Sequence, residues 1–371
     1  MTTTIERLRA LLGHLMLVPG LSGYEGRVRR RIRQELESFG LGSRTDAPGN
    51  LIATIPGADA GAPGVMLYAH MDQLGLIVRK IEPDGFIRFE RLGGVPEKTL
   101  PATEVRLCIG EGRDVAGVIA NKSHHATSQE EKFKVLPYPD LFIDIGAQSA
   151  AEVRARGIDV GTPIVYAPRA LPLGEHRMAG TSVDDRAGCA AVVEVGRRLA
   201  AAPPRATVHL VFSVQEEFNL RGAALAAEAL KPQIAIQIDL LLAADTPDMR
   251  QFGEVALGAG PGISLYNFHG RGTLNGTIPH PALVQLFAEA AARRGISLQR
   301  SAHVGALTDN AYVQLAAAGV ACIDAGFPMR YSHSALEVCD LRDLAGLTDL
   351  LHEVVASIGA GLSLDRDRYE S

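Results

Sequence analysis

Two adjacent acids, Glu216 and Glu217, close an apolar, β-branched run at 207–214 in the stretch ATVHLVFSVQEEFNLRG. Neighbouring residues in a regular strand point to opposite faces, so both carboxylates can serve one site only where the strand is ending. The carboxyl ends of strands are where α/β proteins bind ligands. Two carboxylates there can divide the work of a hydrolytic metal site, one holding an ion and the other moving protons. An isolated acidic pair would more simply face solvent. What changes that reading is four further ligand-type residues in similar settings: His70, Asp184, Asp239 and His333. His70 follows the run 65–69 in YAHMDQLG, where Asp72 has the H-x-D spacing that lets a carboxylate orient a metal-binding imidazole. Asp184 and Asp185 precede a small-residue helix at 186–199, where acids also cap helices and complement their dipoles. That role suits one of the two aspartates without accounting for both.

His70, Asp184, Glu217, Asp239 and His333 therefore make three carboxylates and two imidazoles, each at or just beyond a predicted strand end. This oxygen and nitrogen set suits two borderline divalent ions such as Zn²⁺ or Co²⁺ better than thiolate-loving metals. Two ions about 3.5–4 Å apart need a bridging carboxylate.

The elements that must position these residues follow from periodicity. Helices are predicted at 4–17, 24–38, 186–199, 220–230, 281–294 and 309–318, with a last one from 341. Strands are predicted at 51–55, 65–69, 207–214, 234–238 and 320–325. Between them the texture changes to short strands at 75–81, 85–91, 105–109, 115–120, 141–145 and 162–166. Pro83-Asp84-Gly85 marks a hairpin turn within this series. The expected fold class is α/β, a mixed sheet sandwiched by helices, formed by 1–72 and 166–371. Residues 73–165 are read as an inserted β-rich domain. A long polar loop within the insert, 121–140, holds His124 and His125, which read as a solvated loop tip. The glycine-rich LGAGPGISL lacks the G-K-[ST] ending of a phosphate loop and reads as a tight strand connection.

Bulk properties narrow the classes. The 371 residues exceed one small core, and 47% hydrophobic with 21% charged residues is ordinary globular composition. A net charge of −5 with no basic, aromatic-interleaved run argues against a nucleic-acid surface. The N-terminal stretch is broken by Glu6, Arg7, Arg9 and His14, which suits an amphipathic helix and not a signal peptide. No run of apolar residues is long enough to predict a membrane span. Cys108, Cys189, Cys322 and Cys339 lack C-x-x-C spacing and read as reduced thiols of a cytoplasmic protein. No G-x-S-x-G nucleophile elbow is present.

The ordered set AHMD, S-V-DDR, VQEE-x-x-LRGA, A-I-x-I-D and RY-x-HS-x-x-E resembles the tetrahedral dinuclear metallo-aminopeptidases. That family, with a zinc-peptidase-like fold, includes glutamyl, leucyl and deblocking aminopeptidases. The resemblance covers almost the whole chain, including DGFIRFERLGGV, LFIDIGA and the TD of ALTDNAYV. It implies that Asp184 bridges two ions, His70 and Asp239 completing one and Glu217 and His333 the other. It further implies Glu216 as general base, Asp72 as the residue orienting His70, and a cis peptide after Asp184. The implied protein is a homo-oligomer, commonly a dodecamer with enclosed active sites, contacts made by the insert, and short peptide substrates. A second reading keeps the metal site for acylated amino acids or other small amides; a third is a metal-binding scaffold without turnover. The sequence departs from the family pattern at HVGALTD, where a glycine run is common, and at NKSHHA, where prolines precede a single His.

Overall fold

The computed structural model describes residues 3–270 and 275–369. Its backbone is a helix-flanked sheet into which a small closed barrel is inserted. The sheet has twelve strands among the described residues. Its centre is parallel: Val208–Ser213, Val65–His70, Ile234–Leu242 and Ala321–Arg330 lie side by side in that order. Antiparallel strands extend both sides, with Leu51–Ile55 beside Val208–Ser213 and Glu337–Asp340 beside Ala321–Arg330. Parallel strands covered on both faces read as continuous apolar runs, and Val65–His70 is buried at every position.

Side-chain alternation divides that run between two layers. Val65, Leu67 and Ala69 enter the larger core, shared with the helices Thr4–Met16, Gly26–Ser38, Val183–Ala201, Pro281–Arg294 and Leu341–Ser357. Met66 and Tyr68 enter the opposite core, under Gly222–Leu230 and the short helix Asn310–Val313. The first helix shows how the sequence specifies this packing. Thr3 and Glu6 form a capping box, and Leu8, Leu12 and Leu15 recur on one buried face.

The barrel closes in the order Gly75–Ile81, Ile87–Leu92, Ile143–Asp144, Val115–Ile119, Glu104–Leu107 and Pro163–Tyr166. It has its own core, around Leu76, Val78, Phe89, Val105, Ile143 and Ile164. No helix of the described residues is long and apolar enough to cross a membrane.

Several sequence expectations differ from what is observed. The strand predicted at 234–238 continues as Ile234–Leu242, so Asp239 sits within a strand and not at its end. The apolar run LLLAA beyond Asp239 extends the pairing with Ala321–Arg330. The helix predicted at 309–318 is confined to Asn310–Val313. Strands Gly262–Phe268 and Gln299–Val304, which pair with each other, were not predicted because their mixed polar pattern lacks a clean alternation.

One buried charge ties the helical layer together. Glu194, 4% exposed, meets Arg7 at 2.7 Å, Arg197 at 2.8 Å and Arg198 at 3.1 Å. Burial opposes its ionisation, yet hydrogen bonds from Arg197, Arg7 and Arg198 hold its carboxyl down at about 2. A depressed carboxylate stabilises the fold above its unfolded value near 4.5, and that contribution is lost as pH falls towards about 2. Glu194→Gln should therefore destabilise the fold at pH 7 by on the order of 1–3 kcal/mol, less than a fully buried pair because the arginines are part-exposed. Denaturant melts across the acid range should show the gap between variant and wild type shrinking below about pH 4.5. A gap constant down to pH 2 would contradict the assignment.

Candidate metal centre

Three chain segments reach the site in unusual backbone conformations. Ser182, just before Val183-Asp184, has φ 60°; Gln215, just before Glu216, has φ 56°; His333 itself has φ 65°. Non-glycine residues with positive φ are uncommon and gather at functional sites. The Asp184–Asp185 peptide is cis. Asp184 and Asp185 are non-helical, and regular helix starts only after them.

Two groups of ligand-type atoms converge. His70, Glu216 and Asp239 form one, with all ligand atoms within 4.8 Å; Asp184, Glu217 and His333 form the other. Asp184 joins them: its Oδ1 lies 3.0 Å from His70 Nε2 and its Oδ2 lies 3.7 Å from His333 Nε2. His333 Nε2 is also 3.9 Å from Glu217. The structure thus brings together all five expected ligand residues and Glu216.

The imidazoles are held in one tautomer. His70 Nδ1 lies 3.2 Å from the carbonyl of Asp72, and His333 Nδ1 lies 2.9 Å from the carbonyl of Gly94. A carbonyl can only accept, so each Nδ1 donates its hydrogen and each Nε2 is turned towards the carboxylates, where loss of its proton would free a lone pair for an ion. Gly94 is required for the second contact, because a Cβ there would meet His333 Nδ1 at 2.8 Å.

The Asp72 carboxylate does more than its spacing suggests. Its Oδ1 is 3.5 Å from His70 Nδ1, a longer contact than that of its own carbonyl. Its two oxygens instead accept the backbone N–H groups of Glu216 and Glu217, both at 3.0 Å. Asp72 thereby fixes the acidic pair and the first imidazole together. Asp185 is the capping acid of its pair, accepting from Gly188 N–H at 3.0 Å and from His70 N–H at 3.3 Å.

Glu337 closes the RY-x-HS-x-x-E motif but was given no role in the sequence. Its carboxylate is buried and accepts the N–H of Asp184 at 3.1 Å and of His333 at 2.8 Å. The signal was present as the final glutamate of RYSHSALE, four residues beyond His333. Asp309, the aspartate of the TD pair, is fully buried and accepts from Ser213 at 3.1 Å. Burial pushes its carboxyl up to about 7.

The electrostatics show why the cluster wants cations. Asp184, Glu216, Glu217 and Asp239 line one cavity of about 500 Å³, and no Lys or Arg among the described residues lines it. Burial pushes Glu217 up to about 7, with His333 opposing and Asp184 adding. Burial likewise raises Glu216 and Asp239. Burial disfavours a charged His333, yet Glu217 and Asp184 hold it up at about 9. Four buried carboxylates outnumber the two imidazoles that face them, and buried charge left over in this way is stabilised by binding metal. Imidazole nitrogens and carboxylate oxygens in this number are the donors of a divalent site.

Comparison with known proteins decides the family. A model of the M42 glutamyl aminopeptidase family matches residues 49–350. The chain belongs to that family. It is 36% identical to "Putative aminopeptidase SgcX" of Escherichia coli, over 98% of this chain and 96% of that protein. Identity to a lysyl aminopeptidase of Pyrococcus furiosus is 33%, over 90% and 92%. Among solved structures, aminopeptidase APDkam598 of Desulfurococcus kamchatkensis superposes with a TM-score of 0.90 at 30% identity, covering 100% of this chain and 99% of that one. The TET1 peptidase of Pyrococcus horikoshii, described as assembling into a tetrahedron or a large octahedral shell, gives 0.83 at 29%, covering 96% and 100%. The M42 chain described here is a metal-dependent hydrolase that removes N-terminal residues from peptides.

Glu337→Gln tests the clamp between the two ligand segments. The amide would turn an N–H donor towards one of two backbone N–H groups. Metal retention should weaken by roughly 10–100-fold while the fold survives, the usual consequence of losing a group that orients ligands. Chelator competition followed by denaturant melting separates the two effects, and unchanged retention would refute the clamp.

Proposed function

We propose that each chain binds two ions, Zn²⁺ or Co²⁺, sharing Asp184, and trims N-terminal residues from short peptides. The observation that carries the count is the split of one carboxylate, one Asp184 oxygen beside each imidazole. His70 and Asp239 hold one ion; Glu217 and His333 hold the other. Such ions supply Lewis-acid polarisation of the scissile carbonyl and lower the pKa of water.

The remaining chemistry belongs to the chain. Glu216 lies in one group of ligand-type residues with His70 and Asp239; with the Asp184 oxygen beside His70 completing that ligand set, Glu216 is left as the proton carrier. As general base it takes a proton from the attacking water. It then gives that proton to the departing amine nitrogen as the peptide bond breaks. Asp72, through the Glu216 N–H, keeps this carboxylate in register with the first imidazole.

The assembly we propose is a dodecamer in which residues 73–165 make subunit contacts, around a catalytic domain of 1–72 and 166–371. The exposed apolar side chains of Phe133 and Val135, in the insert's long loop, support an interface there. Four free cysteines support a cytoplasmic location. Light scattering should report a mass near twelve times the 39.4 kDa chain. A concentration-independent monomer would rule this assembly out and leave the chemistry standing.

The decisive experiment compares the two neighbouring acids. Glu216→Gln keeps shape but cannot accept a proton, so it should retain both metals and lose turnover by roughly 10²–10⁴-fold, mainly in kcat. Glu217→Gln should lose metal first, with partial rescue by excess Zn²⁺ or Co²⁺. Asp184→Asn should cost both ions, and wild-type metal content should approach two per chain. Near wild-type hydrolysis by metal-loaded Glu216→Gln would place the base elsewhere, and metal loss in that variant would reverse the pair.

A further inference from the structure

The cavity that holds the metal centre also has a wall that takes no part in it. Leu220, Leu240, Leu242, Ala306, Leu307 and Tyr312 contribute to that wall. These residues come from separate elements: the loop after Glu217, the strand beyond Asp239, the loop after Gln299–Val304, and the short helix Asn310–Val313. Several remain accessible from the cavity. Leu242 and Leu307 are half-buried, and Tyr312 is 38% exposed.

Among the described residues, the wall carries no Lys or Arg and no carboxylate outside the metal centre. Besides the metal-centre residues, His269 and Tyr312 are the described lining side chains with a titratable group. Two arginines near the lining in sequence are occupied elsewhere, and a third, Arg271, lies outside the described residues. Arg221, next to Leu220, stacks over Phe218 at 4.5 Å. Arg330, on the strand beside Asp239, makes a two-pronged pair with Asp245 at 2.8 and 2.7 Å.

We propose that this cavity selects peptides whose N-terminal side chain is uncharged and apolar, and discriminates against acidic and basic ones. The inference rests on the aminopeptidase reading and adds its substrate class. An apolar side chain would leave water for partly exposed leucine and tyrosine surface, a favourable transfer. A carboxylate or ammonium would shed its hydration without an opposite charge to meet it. Discrimination is the difference between those two outcomes. Identity to a lysyl aminopeptidase would by itself suggest a basic residue; the described lining offers no carboxylate beyond the metal centre to receive one.

The test measures kcat/KM for p-nitroanilides of leucine, methionine, glutamate and lysine on the metal-loaded oligomer. Product inhibition by free leucine, glutamate and lysine gives a readout independent of turnover. Leucine and methionine substrates should exceed glutamate and lysine by about tenfold or more, with leucine the strongest of the three inhibitors. Leu307→Arg should then raise the glutamate-to-leucine ratio by about tenfold with metal content unchanged, because the new guanidinium supplies the absent counter-charge. A wild-type preference for glutamate or lysine would overturn the inference and leave the aminopeptidase reading intact. Failure to cleave any aminoacyl anilide or short peptide would remove both. Should Leu307→Arg misfold, Leu307→Gln and the wild-type panel still decide. An unaltered ratio in a folded, metal-loaded Leu307→Arg would show that this wall does not meet the substrate side chain.

Discussion

Four carboxylates buried in one cavity, with no Lys or Arg beside them among the described residues, impose the constraint on which the rest depends. Left to themselves such groups resist ionisation, and the upward shifts of Glu216, Glu217 and Asp239 express that resistance. The fold does not relieve the repulsion with lysines or arginines. It turns two imidazole Nε2 atoms towards the acids and holds each ring from behind with a backbone carbonyl. The result is a concentration of donors that only cations can complete, held ready before they arrive. Preorganisation of this kind costs folding stability, which the two large hydrophobic cores on either side of the sheet offset.

The donors stay in register because the site is fastened through backbone N–H groups. Asp72 grips Glu216 and Glu217, Glu337 grips Asp184 and His333, and Asp185 grips His70. Each clamp is a carboxylate accepting from the main chain of a segment that carries a ligand. A backbone donor cannot rotate away as a side chain can, so the ligands inherit the rigidity of the sheet. The departures to positive φ at Ser182, Gln215 and His333 occur where the chain bends to present these segments.

Much of this was legible in the sequence. Strands such as Val65–His70 and Val208–Ser213 announced themselves as apolar runs because both their faces are buried. The five expected ligand residues and Glu216, which the structure brings into one cavity, were legible through the ordered set of motifs and its resemblance, each motif alone being weak. Glu337 was harder, since a glutamate in a polar loop has an ordinary solvent-facing explanation and its two partners lie 153 and 4 residues away. The continuation of Ile234–Leu242 past Asp239 was missed for a different reason. A charged residue in an apolar run reads as a terminus, but here Asp239 turns into the cavity while the backbone continues its ladder. Long-range pairing decided what local pattern could not.

The same distinction explains why chemistry and selectivity separate in this protein. The metal centre is built from segments whose residue types are dictated by donor chemistry, and its pattern is therefore conspicuous. The cavity lining also draws on Gly305, Ala306, Leu307 and Thr308, the loop reading HVGALTD, where the sequence departs from the glycine run common in the resembling family. Adding side chains to a loop that borders the reacting centre reshapes the volume offered to the substrate without touching a ligand. Asp309, buried at the end of that loop and hydrogen-bonded to Ser213, ties it to the strand that delivers Glu216. The loop can thus vary in what it presents to the cavity while its attachment to the catalytic strand is kept, so one metal centre can serve different substrates.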